Sequence, residues 1–452
     1  MAAGTATSSS MSGEPARPSA PDGSGAGSDW TPMSVYTLAV VTVIYALSFL
    51  DRSILSIVLP LIKKELHISD TMLGLITGFA FVLLYSGLGV PIARFADRGN
   101  RRNILALGCA AWSLMTVLTG AVANVVQLAL TRFLMGAAEA AGIAPTTALL
   151  SDRFGPKGRP LALSIMTSGS GLAALLMLPA AGFIAQHYGW RSAYFVAGAF
   201  GMGMATLLFL TVPEPVRQDK AGKAEAPSFA TVWTWLRTRR SFGLMCAAGA
   251  FLAVTTYATI TWTPTFLMRV HGLTPGEAAT AYGPIRGLSS IIGVIGGGAL
   301  AGWAARRDPR WLLLLPAIGA AISVPAELLF LLSDNLPLAL SGLALASLAG
   351  AMHFGPSYAA MAAIVPPSMR ATTAAIFLFC VNMVGQIVGP LAIGWLNDRW
   401  AGLYGDEAVR YSMILATFCV AIAAVLMVLA SLRLREDLDA AKTFAPQEGP
   451  TP

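Results

Sequence analysis

Five ionisable side chains, Asp51, Arg52, Arg132, Glu139 and Arg286, sit inside long apolar stretches. A charge in the middle of a membrane costs about 2.5 kcal/mol or more, so each needs a function or a partner. The planar fork of an arginine bonds a carboxylate or a phosphate through two parallel contacts. Arg132, with Arg52, is therefore a candidate attractor for an anionic solute, and Arg286 is a candidate to complete that site. Asp51 and Glu139 are candidate proton acceptors. A carboxylate resists ionisation in a closing apolar cavity and ionises readily beside Arg, so alternating the two surroundings couples proton exchange to a change of shape. Arg132 and Glu139 are seven residues apart and share one helix face, separated by about 10 Å. A structural reading stands beside this one. An Asp51–Arg132 or Arg52–Glu139 pair could simply fasten two helices, and Arg286 could bond backbone carbonyls beside a water-filled crevice. Glu327, close to the end of its apolar stretch, reads as solvated. His353 reads equally as a packing residue and as a proton site, and Tyr257, Trp262, Tyr282, Asn382 and Gln386 read as cavity lining or ordinary helix packing.

The elements that hold these residues follow from composition. Of 452 residues, 55% are hydrophobic and 12% charged, against about 25% charged in a soluble chain; mean hydropathy is +0.66. Twelve apolar segments can be marked, at about 35–60, 71–93, 103–122, 125–150, 160–184, 191–212, 242–268, 277–303, 310–332, 336–364, 370–396 and 409–432. Their length fits membrane-spanning helices and is too great for barrel strands. Ser69 and the Thr274–Glu277 capping box mark helix starts. The fold expected is an all-α integral membrane protein with twelve transmembrane helices.

Of the 30 Lys and Arg residues, 21 fall in the leader, even-numbered loops, central linker and tail, against 6 in odd-numbered loops. The positive-inside rule then places both termini in the cytoplasm. The +7 net charge is thus a matter of topology, and no nucleic-acid partner is expected. The expected organisation is a disordered cytoplasmic leader (1–33), an N-terminal six-helix bundle (34–212), a cytoplasmic linker (213–240), a C-terminal six-helix bundle (241–434) and a cytoplasmic tail (435–452). Pro145, Arg159 and Pro179 recur as Pro356, Arg370 and Pro390 at a constant displacement of 211, as two parallel repeats would require. Residues 1–33 contain no apolar run of the kind a cleavable signal peptide needs. Cys109, Cys246, Cys380 and Cys419 stand singly and suggest neither a metal site nor a disulfide framework.

The loop after the second segment, Asp97-Arg98-Gly99-Asn100-Arg101-Arg102, places an acid and arginines where neighbouring helix ends meet. Asp97, Arg98, Arg101 and Arg102 could form a conformational latch, or the arginines could merely orient the helix. This loop resembles the major facilitator pattern Gly-x-x-x-Asp-Arg-x-Gly-Arg-Arg/Lys, with Ala93 in place of the first Gly and Asn100 in place of the second. The Asn form is similar to the Spinster branch of lysolipid and sphingolipid transporters. Asp51-Arg52, Thr131-Arg132 with Gly136 and Glu139-Ala140, and Gly189-Trp190-Arg191 extend that resemblance; bacterial organic-anion carriers share similar patches, including Trp262-x-Pro264.

The resemblance implies the major facilitator fold of two six-helix bundles, with the first and fourth spans lining a central cavity. That would gather Asp51, Arg52, Arg132 and Glu139, with Arg286 facing them from the other bundle. It implies a secondary transporter in a bacterial inner membrane, carrying an amphipathic organic anion such as a lysophospholipid or sphingoid phosphate, and Asp51 and Glu139 suggest that it is proton-coupled. Small water-soluble organic acids are the alternative solutes. The expected partners are the solute, protons and the bilayer, with no cofactor or metal. The chain has no nucleotide-binding loop and no His/Glu metal motif, which argues against a pump or membrane enzyme. A passive channel fits isolated buried charges and a two-half organisation less well than a carrier does.

Overall fold

In lipid every backbone N–H and C=O must be paired within the protein, and a helix pairs them within a single segment. The computed structural model, which describes residues 30–155, 158–215 and 228–442, is helical throughout these residues apart from turns. The helices are α1 (Pro32–Leu66), α2 (70–98), α3 (Arg101–Gly120), α4 (Val125–Arg153), α5 (Arg159–Tyr188), α6 (Trp190–Thr211), α7 (Arg240–Val270), α8 (Pro275–Ala305), α9 (Trp311–Leu332), α10 (Leu336–Ala363), α11 (Arg370–Tyr404) and α12 (Ala408–Lys442). A short helix, Phe229–Arg237, lies in the linker. The longest apolar stretch, Thr372–Ala441, is two of these helices, because the chain reverses at Gly405, whose φ of 57° suits glycine.

Helices α1–α6 form one bundle and α7–α12 the other. The start of α1, the end of α12 and the linker helix Phe229–Arg237 lie on one face, called here the terminal face; the opposite one is the far face. α2 and α5 pack against α11 and α8 across the boundary. There α2 and α11 touch backbone to backbone: a Cβ at Gly394 would collide with the Asp70 carbonyl, and one at Gly78 with that of Gln386. Large buried side chains such as Trp112, Tyr194, Trp262 and Phe330 fill the bundles, while Leu107, Leu210, Phe418 and Val425 are exposed on the outside, where lipid would cover them.

Each expected segment coincides with a helix, and the anticipated caps are present. Ser69 Oγ accepts from Met72 N at 3.1 Å, and the capping box pairs Thr274 N with Glu277 Oε2 at 2.9 Å. Two features exceed the apolar pattern. α4 is interrupted by a turn at 140–142 and α10 by one at 352–353, near the same 211-residue displacement, and the prolines of both repeats, Pro145 and Pro356, follow directly. α2 and α5 each carry a π-helical turn, Ile76–Ala80 and Ala173–Met177, a local widening common at functional helices.

The last helix continues beyond the expected end of the second bundle at 434. α12 remains helical to Lys442 because Asp437 is buried and accepts from the amide of Ser241 at 3.0 Å, anchoring the end of α12 to the start of α7. Residues 1–29, 216–227 and 443–452, which include most of the expected leader and parts of the linker and tail, lie outside the described residues.

Candidate functional site

The centre of the first bundle is an ion pair between Arg52 on α1 and Glu139 on α4. Arg52 Nε donates to Glu139 Oε2 at 2.9 Å and Nη2 donates to the same oxygen. The Glu139 side chain is 1% exposed and that of Arg52 24%, so the arginine faces the opening and the acid lies behind it. Glu139 Oε1 has no hydrogen-bond partner among the described residues. Two sequence features position the acid: α4 halts at Glu139 for the 140–142 turn, and a Cβ at Gly136, one turn earlier, would collide with the Phe81 carbonyl, so only glycine lets α4 lie this close to α2. The guanidinium lies 4.6 Å from the Phe81 ring centroid and 4.9 Å from that of Tyr85, an i,i+4 pair on α2 that stabilises a cation through the ring faces. Tyr45, Phe49, Arg52, Tyr85, Trp112 and Glu139 line a common cavity.

Arg132 does not reach that cavity. It is 2% exposed; Nη1 donates to the backbone carbonyl of Asp51 (3.1 Å) and Nη2 to the hydroxyl of Tyr194 on α6 (2.7 Å), while Nε has no hydrogen-bond partner among the described residues. Asp51 is likewise buried, within electrostatic reach of Glu139, Arg132 and Thr116. The four charges are gathered as the resemblance implied. Of the two pairings considered, Arg52–Glu139 forms, while Arg132 meets the Asp51 backbone rather than its carboxylate.

The second bundle contributes Tyr257 on α7, within electrostatic reach of Arg52. Its hydroxyl donates to Asn382 at 2.9 Å and accepts from Gln386 at 3.3 Å. Trp262 and Tyr282 belong to the core; Trp262 Nε1 donates to the Pro390 carbonyl at 3.0 Å. Arg286 is half-buried and makes no hydrogen bond or ion pair among the described residues. His353 stacks on Phe354 and meets the Gly350 carbonyl at 2.5 Å. The expectation for Glu327 is overturned. It is 9% exposed, because α9 is clasped between α10 and α12 up to its last turn, and its Oε1 is unpaired among the described residues.

A second constellation, on the far face, escaped the sequence reading. Asp70, at the start of α2, accepts from Arg269 of α7 through both guanidinium nitrogens at 2.6 and 2.9 Å, and from Lys63 of α1 at 2.7 Å. Asp398 of α11 accepts from the amides of Asp70 (3.0 Å) and Thr71 (2.8 Å) and from the Thr71 hydroxyl (2.6 Å). Gln186 of α5 accepts from Gly276 N of α8 at 3.1 Å. The hydrogen bonds and ion pairs joining the bundles, among the described residues, all lie on this face. The only signal in the sequence was a few charges flanking helix ends on the charge-poor side.

On the terminal face Arg101 and Arg102, the latch candidates whose side chains are described, bond to the first bundle and to the start of the linker. Arg101 pairs with Asp152 of α4, and Glu214 accepts from the amides of Arg101 (2.9 Å) and Arg102 (2.8 Å). The side chains of Asp97 and Arg98 lie outside the described residues.

The model of the Major Facilitator Superfamily matches residues 41–390. An MFS-type efflux pump of Mycolicibacterium smegmatis is 35% identical over 89% of this chain and 93% of its own length. A sphingosine-1-phosphate transporter of Xenopus tropicalis is 25% identical over 93% of this chain and 86% of its own. The crystal structure of a bacterial homologue of the human lysosomal transporter Spinster, in an inward-facing, unoccupied conformation, superposes with a TM-score of 0.81 at 29% identity, covering 92% of this chain and 99% of that one. The chain belongs to the major facilitator superfamily, and within it to the Spinster-like branch. It is a multi-pass membrane transporter.

Proposed function

We infer that the protein is a secondary carrier that moves an amphipathic organic anion, of the lysophospholipid or sphingoid-phosphate kind, by alternating access coupled to protons. The observation that carries this reading is the asymmetry of bonding between the bundles. The far face is fastened by Asp70, Arg269, Lys63 and Asp398, whereas Arg101 and Arg102 on the terminal face make no bond to the second bundle among the described residues. A carrier closed on one side of a central charge pair is one of the two states that rocking bundles require. The positive-inside count makes the terminal face cytoplasmic, so this state is inward-facing, like the relative it superposes on; a bacterial inner membrane is the proposed location.

The solute class follows from the cavity. Arg52 offers a guanidinium framed by Phe49, Phe81 and Tyr85, a setting for an anionic headgroup with an apolar remainder, and Arg286 of the other bundle is the proposed second cation. The named substrate of the Xenopus relative has this chemistry. Glu139 and Asp51 are the proposed proton carriers. An anion taking Arg52 removes the partner of Glu139, which then binds a proton. Arg132 braces α1, α4 and α6 behind the pair, and Asp97, Arg98, Arg101 and Arg102 form the proposed latch of the outward-facing state. Saturable counterflow of labelled oleoyl lysophosphatidate in proteoliposomes tests the carrier reading; flux that never saturates points to a channel, and counterflow of small acids alone points to the water-soluble class.

A further inference from the structure

The central pair makes no use of Glu327. It is 9% exposed, and Oε1 finds no hydrogen bond among the described residues. Arg286, the cation within electrostatic reach of it, also lacks a bonded partner among them. A buried carboxyl without hydrogen bonds and a half-buried guanidinium without an anion are each incomplete, and the missing components are a proton for one and an anion for the other.

The backbone around them can move. Pro284 and Pro325 each stand two residues before the charged group, and each deletes a helical hydrogen bond and loosens its turn. Helical phase sets the direction of Arg286: residues 286, 293 and 297 form one row on α8. Side chains at Gly293 and Gly297 would collide with the carbonyls of Leu348 and Met352, so this row faces α10. α9 packs on α10 in turn, with Gly342 of α10 against the backbone of Ala326 and Phe330. The row therefore carries Arg286 toward the wall that bears Glu327. The other titratable groups here are Tyr282 of α8, near both charges, and His353 of α10, which faces Arg286. α12 is uncharged from Tyr411 to Leu432.

We propose that Glu327 is a second proton-binding site, placed in the C-terminal bundle and coupled to the solute through Arg286. This rests on the anion-carrier reading and deepens it. When the anionic head of the solute bonds Arg286, the positive charge facing Glu327 is neutralised. The carboxylate then takes a proton from cavity water, forming an O–H bond and leaving no net charge in the wall. Protonation of Glu327 conversely frees Arg286 for the anion. Linkage makes the two effects equal in size, so each bundle carries its own cation–acid unit, Arg52–Glu139 in one and Arg286–Glu327 in the other.

The test uses the full-length protein in lipid nanodiscs and oleoyl lysophosphatidate as probe. Binding is measured by calorimetry across pH in two buffers of different ionisation enthalpy, which counts protons taken up with the anion. Wild type should bind with proton uptake, and its affinity should fall as pH rises. Glu327→Gln should still bind, with less uptake and a pH dependence flattened by about fivefold or more, and Glu327→Asp should restore both. Wild-type uptake and pH dependence in Glu327→Gln would overturn the proposal. If wild type does not bind the lysolipid, the substrate reading falls, and infrared difference spectra of the ligand-free protein between acid and alkaline pH decide the proton site alone. A carboxyl band missing in Glu327→Gln upholds the site, and identical spectra reject it.

Discussion

Arg269 of α7 closes the far face by donating two hydrogen bonds, 2.6 and 2.9 Å long, to Asp70 of α2 across the boundary between the bundles. The Asp70 side chain is 1% exposed, and Lys63 and Asp398 complete a network of two acids and two bases. Such bonds must break together when the bundles separate, which makes the network a determinant of which side is open.

Asp70→Asn leaves Arg269 and Lys63 without their anion. Breaking a buried pair by removing one partner costs about 3–5 kcal/mol, enough to shift a two-state equilibrium by about a hundredfold or more. Spin labels at Tyr188 and Leu403, exposed far-face ends of α5 and α11, should report a longer distance in Asp70→Asn. A distance distribution identical to wild type would show that the network does not hold this face.

Gly394→Val tests the same closure without altering charge. The added side chain would collide with the Asp70 carbonyl, so the labels should separate here too while every ionic group is retained. Unchanged distances, with the protein folded, would mean that α11 and α2 need not touch for closure.

Arg132 should act on stability rather than on affinity, because it is buried away from the cavity with Nη1 and Nη2 held by the Asp51 carbonyl and Tyr194. Tyr194→Phe should cost about 1.5–3 kcal/mol, the worth of a hydrogen bond to a charged group. In a thermal unfolding cycle, Tyr194→Phe and Arg132→Gln should be clearly non-additive. A large loss of anion affinity in Arg132→Gln with unaltered melting would instead place Arg132 in the binding site.

Much of this architecture was legible because the bilayer imposes it. Apolar runs of span length located the twelve helices, and Thr274–Glu277 and Ser69 marked starts that depend only on neighbouring residues. The Pro145/Pro356 spacing anticipated a repeat whose physical form, paired interruptions of α4 and α10, no periodicity could specify. Pairings between distant elements were not legible. Asp70 and Arg269 each read as a charge beside a helix end, and only the docking of α2 against α7 and α11 makes them one network. Arg132 and Glu139 share a face by spacing, yet which one meets the cavity depends on how α6 brings Tyr194 behind the helix. Glu327 lies five residues from the end of α9, and only the packing of α10 and α12 around that end buries it.

The central claim is that the Arg52–Glu139 pair takes up an anion and a proton together. Its most direct test is uptake of labelled oleoyl lysophosphatidate into proteoliposomes, with and without an imposed pH gradient, comparing wild type with Arg52→Ala, Glu139→Gln and Arg132→Ala. The account predicts gradient-driven accumulation by wild type and at least about a tenfold loss in Arg52→Ala, the equivalent of 1.4 kcal/mol. Glu139→Gln should exchange the anion with a clearly weakened response to the gradient, carried only by Glu327, and Arg132→Ala should lose activity only in proportion to folded protein. Gradient-driven uptake by Glu139→Gln at the wild-type level would contradict it.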